Sequence, residues 1–188
     1  MQHIFHSLQN HFLISMPQLN DPNFQHTVTY ICEHSESGAM GLTINRPSTI
    51  DFTMLTKHLG IEIQAASRVN TPICVGGPVE SERGFILHTT DHTWSNTLPI
   101  TENIALSAAY EAVEEIAHGK GPESFLISLG CAGWQAGQLE AEIAANAWLV
   151  CEADLDVLFH TPSELQFAAA TKVLGIDINF ISPVVGHC

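Results

Sequence analysis

The chain has 188 residues, 45 % of them hydrophobic and only 14 % charged, and its six Lys and Arg face twenty Asp and Glu for a net charge of −14 with His neutral. Nucleic acids and anionic membranes are bound through clustered Lys and Arg. Here Lys57, Lys120, Lys172, Arg46, Arg68 and Arg83 stand singly, so direct binding to either is disfavoured.

The length fits one domain, 1–188, with a core that needs no disulfide or metal. Five cysteines (Cys32, Cys74, Cys131, Cys151, Cys188) occur without a C-x-x-C pair, which reads as buried reduced thiols in a cytoplasmic protein. Met1–Ser7 carries no Lys or Arg and no signal-peptide apolar run follows. No stretch nears the roughly 20 apolar residues of a membrane span. A weakly charged surface leaves room for an apolar patch, hence for self-association or a partner.

In chain order, Phe12–Ser15 is a short strand stopped by Pro17. Asn20-Asp21-Pro22 predicts the start of a brief helix, with Asp at the cap and Pro at its first position. The β-branched and aromatic run Thr27–Cys32 and the run Met40–Asn45 flank the turn residues Glu36-Ser37-Gly38, predicting an antiparallel hairpin. Phe52, Leu55 and Leu59 repeat at helical spacing between a capping Asp51 and Gly60. The loop-rich 61–70 precedes a buried strand Ile73–Val75, then Gly76-Gly77-Pro78 and the strand Phe85–His88, with a link short enough for the two to pair. Two weak strands fit Thr97–Thr101 and Ile104–Ser107.

Ala108–His118 is helical, with Ala109, Val113 and Ile116 on its apolar side, and glycines end it. Phe125–Leu129 is the most apolar strand, and the glycine-studded Gly130-Cys131-Ala132-Gly133 with Trp134 reads as a turn before a helix through Leu139, Ile143 and Ala147. Gly137 fits that helix's N-cap, with Glu140 placed to answer the cap amide and the helix dipole. An apolar piece 148–150, one or two helical turns over Asp154–Phe159, and a helix capped by Ser163 and closed by Gly175 follow. The tail to Cys188 reads as irregular. Early strands in hairpin connection and mostly late helices predict α+β rather than a parallel sheet.

Several of these stretches together resemble the bacterial AlgH/YqgE family: Phe12-Leu13-Ile14-Ser15-Met16-Pro17, Asp21-Pro22-Asn23-Phe24, Tyr30–His34, Gly38–Leu42 with Asn45-Arg46-Pro47, Gly76-Gly77-Pro78-Val79, Arg83–His88, Gly133-Trp134, Gly137–Glu140 and Asn146-Ala147-Trp148. The resemblance runs from about Leu8 to Gly186-His187. It implies a compact α+β domain whose irregular, mainly antiparallel sheet folds towards a pseudo-barrel flanked by helices. It carries no agreed catalytic residues. A transcriptional-regulator label attached to some members conflicts, for direct DNA binding, with the charge of this chain.

Chemistry-bearing residues are few. Cys131 precedes a predicted helix, where a thiol becomes nucleophilic, yet no base lies near it in sequence. His88, Asp91 and His92 offer metal-ligand types, but H-x-x-x-H aligns both rings only on a helix, and a distant third ligand such as His34 would be needed. Cys32 and His34 share one strand face. Gly76, Gly77 and the turn at 130–137 let backbone amides approach an anion, against the plainer reading of turns needing positive φ. Arg46, with Asn45 beside it, and Arg83 are the best anion ligands, although Arg83 has Glu80 and Glu82 for an internal ion pair. Trp134 is a plug over the core or an exposed anchor for a partner.

These readings predict a non-catalytic protein acting through a protein partner or its own copies, without cofactor or metal. A regulatory role without direct DNA contact fits it. The candidate contact set is Asn45, Arg46, Gly76, Gly77, Arg83 and Trp134. A small-molecule or anion binder using the glycine turns, and an enzyme using Cys131 or the His88/His92 pair, are the alternatives.

Overall fold

The computed structural model describes residues 5–108 and 110–175. The β-branched and aromatic runs become nine strands: β1 (His11–Ser15), β2 (Val28–Ser35), β3 (Gly38–Thr43), β4 (Ile73–Val75), β5 (Val79–Thr89), β6 (Leu98–Pro99), β7 (Ile104–Ser107), β8 (Phe125–Gln135) and β9 (Trp148–Glu152). Among the described residues five α-helices accompany them: α1 (Phe52–Leu59), α2 (Tyr110–Ala117), α3 (Gln138–Ala144), α4 (Leu155–Phe159) and α5 (Ser163–Val173). The strand order is β6-β7-β5-β8-β3-β2-β1-β9, with β4 added to β8, and among the described residues β4 on β8 is the one parallel pair. The fold is α+β, a single domain whose mainly antiparallel sheet is curled into a half-barrel.

The expected β2–β3 hairpin forms, with Ser35 opposite Gly38 across a two-residue turn. Helix α1 starts where Asp51 accepts the Met54 amide at 2.7 Å and ends at Gly60 in the left-handed region.

Alternate residues of the strands feed the two faces of the sheet. One buried cluster takes Phe12 and Ile14 of β1, Tyr30 and Cys32 of β2, Phe85 and Leu87 of β5, and Leu106 of β7. Val157, Leu158, Phe167 and Ala170 of α4 and α5 complete it. Strands from both ends of the sheet thus share one core. Gln9, just before β1, ties the curl shut by donating from Nε2 to the Ile100 carbonyl beyond β6 at 3.1 Å. On the opposite face α1 and α2 cover Ile86, Ile127 and Trp94, and α3 covers Leu13, Ile31 and Trp134.

Several local expectations are corrected. Asp21-Pro22 opens a turn rather than a helix, with Asp21 accepting the Phe24 and Gln25 amides before the chain leaves for β2. Pro162 is the N-cap of α5, without a side-chain bond, so Ser163 is its first residue and not its cap. Ala109 and the tail through Gly186-His187 and Cys188 lie outside the described residues.

The largest correction concerns the glycines. Strand β8 does not stop at Leu129 but runs on to Gln135. Its first half lies between β4 and β5, and its second half pairs with β3, Ala39 opposite Trp134. Strands β4 and β5 therefore do not pair with each other. The link Gly76-Gly77-Pro78 carries the chain across the β8 backbone instead.

A Cβ on Gly76 would overlap Ser128 Oγ and the Gly130 carbonyl oxygen, and one on Gly77 would overlap the backbone of Cys131 and Ala132. Gly130 itself has φ +71°, at the point where β8 changes neighbours. Glycine is needed at this crossing because backbone meets backbone. Gly77→Ala is therefore expected to cost about 3 kcal/mol or more. Gly133→Ala, whose Cβ would meet only Val79 Cγ2 at 3.6 Å, should stay within about 1 kcal/mol of wild type. Urea unfolding of the two variants measures the contrast; equal costs would contradict it.

Candidate functional site

The residues picked out from the sequence are largely spent on the fold. The Gly76 amide donates to the Leu129 carbonyl at 2.8 Å and its own carbonyl accepts the Thr43 amide at 2.8 Å, so this glycine offers no free donor to an anion. Asn45 accepts the Val28 amide through Oδ1 at 2.8 Å and donates from Nδ2 to the His26 carbonyl at 3.0 Å. Arg46 fixes the turn after Asp21, its Nη1 and Nη2 donating to the Asn23 and Pro22 carbonyls at 2.7 and 3.0 Å. Arg83 forms the internal ion pair, with Glu80 at 2.9 Å, and lies over the Phe85 ring.

Trp134 is buried at 7 % exposure, which decides between its two readings in favour of the plug. Its indole N–H donates to Glu142 Oε2 at 2.9 Å, and the Trp148 indole donates to the same oxygen at 2.8 Å. Phe24 packs on both rings. Glu140 does not answer the cap of α3. Gly137 takes the N-cap with no side-chain bond, and Glu140 instead meets His34 Nε2 at 3.0 Å. Because His34 Nδ1 accepts the Leu8 amide at 2.8 Å, the ring carries its proton on Nε2 and donates it to Glu140.

The reactive candidates are muted in the same way. Cys131 lies within β8, not at a helix start. Burial pushes its thiol up, Glu80 adds to that and Arg83 opposes it, the reverse of an activated nucleophile. Cys32, Cys74 and Cys151 are raised by burial too, Cys74 to about 12 and Cys151 to about 11.

His88 is fully buried. Its Nδ1 donates to the Thr89 carbonyl at 2.8 Å, and its Nε2 accepts the Ser107 hydroxyl at 2.9 Å. Thr97 in turn donates its hydroxyl to Ser107 at 2.8 Å. His92 meets Glu115 at 2.7 Å, and Glu115 also accepts the Trp94 indole at 3.1 Å. His34 is held elsewhere by Glu140, and among the described residues no three His, Cys, Asp or Glu side chains are grouped to hold a metal.

What the sequence reading did not pick out is an apolar cleft. It opens between α1, α2 and the outer face of β5 and β8, with a volume of about 720 Å³. Ile50, Met54, Leu55 and Leu59 form one wall, Tyr110 and Val113 the other, and Ile86, Ile127, Leu129 and Gly84 the floor. Ile50, Met54 and Tyr110 stand 38 %, 54 % and 52 % exposed on its lip. The available signal was Met54, an apolar residue one turn from Ile50 and off the Phe52-Leu55-Leu59 face. A bulge shapes the rim: β5 pairs Val79 with Cys131 and Gly84 with Leu129, so residues 80–83 loop out opposite Gly130 alone.

Two outcomes follow from these networks. Glu142→Ala strands two buried indole donors and should cost about 2 kcal/mol or more in urea unfolding; a cost near zero would contradict the shared acceptor. Burial lowers the His88 pKa, partly countered by the Thr89 carbonyl and Asp91 and assisted by His92. A depressed folded pKa gives stability that is full above the unfolded value of about 6.5 and lost as pH falls towards the folded value. Unfolding free energy should therefore drop as pH falls below about 6.5, and drop less in His88→Gln. Equal drops would remove His88 as the cause.

Comparison with known proteins fits this architecture. A family model described as AlgH-like matches residues 12–179. A UPF0301 protein of Marinomonas sp. (strain MWYL1) is 65 % identical over 187 residues, 100 % of both chains. One of Thioalkalivibrio sulfidiphilus (strain HL-EbGR7) is 47 % identical over 178 residues, 95 % of each. The solution structure of the AlgH protein from Pseudomonas aeruginosa superposes with a TM-score of 0.79 at 44 % identity, covering 100 % of both chains. A crystal structure of a Corynebacterium diphtheriae protein shares the fold alone, with a TM-score of 0.70 at 17 % identity over 92 % of this chain and 89 % of that one. The names of these relatives state no activity. With the model match spanning most of its length, and with relatives this similar end to end, the chain belongs to the AlgH-like family.

Proposed function

We propose that this protein is non-catalytic and acts in the cytoplasm by holding a protein partner in the cleft between α1 and α2. One observation carries the reading: three large apolar side chains, Ile50, Met54 and Tyr110, stand exposed around a single apolar cleft. Contiguous exposed apolar surface of this kind marks interaction sites, and Met and Tyr are enriched in interface cores. The residues of the competing readings lend them less support. Gly76, Asn45, Arg46 and Arg83 bond to the protein itself, and Cys131, His88 and His92 are buried or engaged.

Any regulatory role would run through that contact, because a net charge of −14 opposes direct DNA binding. The cytoplasmic assignment draws on four free, buried cysteines. Among the described residues no helix is long and apolar enough to cross a membrane.

The test is site-specific photo-cross-linking in the native cell from position 54, with the equally exposed Leu165 on α5 as control. The reading predicts a cross-linked protein from position 54, absent from position 165 and lost when Gly84→Leu fills the cleft. Cross-links that are the same from both positions, insensitive to Gly84→Leu, or only to a second copy of this chain would contradict it.

A further inference from the structure

Away from the cleft, where the chain enters β1, His34 of β2 holds two segments at once. Its side chain is only 2 % exposed, and both ring nitrogens are committed. Nδ1 accepts the Leu8 amide at 2.8 Å, and Nε2–H donates to Glu140 of α3 at 3.0 Å. A backbone amide can only donate, so the bond from Leu8 exists only while Nδ1 keeps a free lone pair. That is the neutral ring. An imidazolium carries N–H on both nitrogens, which sets two donors against each other across 2.8 Å.

The two bonds respond oppositely to a proton. Glu140 gains, because a charged ring donates to a carboxylate more strongly than a neutral one. Leu8 loses its acceptor outright. Around the ring, Ala39 of β3 lies opposite His34 and is neutral, while Glu33 on the same strand and His6 on the entering segment are exposed to water. Phe5 lies by the ring with centroids 4.9 Å apart, and Ser7 Oγ donates to the His34 carbonyl at 3.0 Å. The Phe5 face attracts a cation and the Ser7 bond ignores the ring's charge, but neither gives the Leu8 amide an acceptor.

We infer that His34 is a proton-operated latch on the segment leading into β1: on taking up a proton the ring stays on Glu140 and lets the Leu8 amide go. Asn10 donates its amide to the Ile31 carbonyl at 2.9 Å, so the release ends there and β1 keeps its register. Leu8 packs against the cluster of Leu13, Ile31 and Trp134, and Gln9, His34 and Trp134 line a cavity of about 490 Å³. Freeing residues 5–8 uncovers that apolar surface and opens the cavity at this end. The latch shares no residue with the cleft between α1 and α2, so it goes beyond the partner reading and does not depend on it.

The test is NMR of the full, isotope-labelled chain from about pH 8 to about 5, the range in which histidine changes charge. It follows the His34 ring shifts together with exchange of the Leu8 amide, the latter divided by its intrinsic rate. Leu8 exchange should quicken at least about tenfold, with the midpoint of the His34 ring, while the amides of β1 show no step at that midpoint. His34→Gln takes up no proton and should remove the step. Glu140→Gln keeps an acceptor for Nε2–H without its charge, and should move both midpoints to lower pH together. It also carries the test if His34→Gln folds poorly. A Leu8 amide still protected after the ring has titrated, a ring that stays neutral down to about pH 5, a step shared with the β1 amides, or midpoints that separate in Glu140→Gln would overturn the inference.

Discussion

One close approach organises the molecule: the Gly76-Gly77 link passes over the β8 backbone at Gly130 and Cys131, where no Cβ fits. Because the link crosses there, β4 and β5 flank β8 on opposite sides and its far half is left for β3. Strand β8 therefore belongs to both halves of the sheet. The curl then brings Phe12 and Leu106 into one core and sets α1 and α2 apart on the outer face, with the cleft between them. A side chain at Gly77 would push the two halves apart before it touched any ligand.

The same economy governs the polar groups. Glu142 takes two indole N–H groups on one oxygen, His34 bridges the N-terminal segment to α3, and Arg46 clamps a turn. Each ties two segments together, and Arg46 and His34 do so across 23 or more residues of sequence. Surface left free of such duties is apolar and acidic. Buried polar networks hold this fold together, and the contact proposed above is assigned to side chains that lack them.

Much of this was legible in the sequence, and what failed did so for one physical reason. The hairpin, α1 with its Asp51 cap and the strand Ile73–Val75 are fixed by short-range spacing and capping, and the family resemblance carried the curled α+β sheet. Gly130 to Gly133 misled because glycine signals a turn when only its own backbone freedom is considered. At Gly130 the missing side chain instead makes room for the backbone of Gly77, Val79 and Ser81, which lie far earlier in the sequence. The exposure of Trp134 was equally undecidable, since its acceptor Glu142 and its stacking partner Phe24 come together only after folding. The cleft is not legible in the sequence, because helical spacing shows the face α1 buries and not what faces the Met54 it leaves out.

The stretch from Gly130 to Trp134 is core strand rather than a binding loop. Native-state hydrogen exchange tests that most directly. The hydrogen-bonded amides of β8 on both sides of Gly130 should exchange only through global unfolding, with the same free energy as Leu126 and Ile127. Exchange of the amides from 131 to 134 through a separate, lower-energy local opening would show a mobile glycine loop, and would contradict the structure's central crossing and the functional reading built on it.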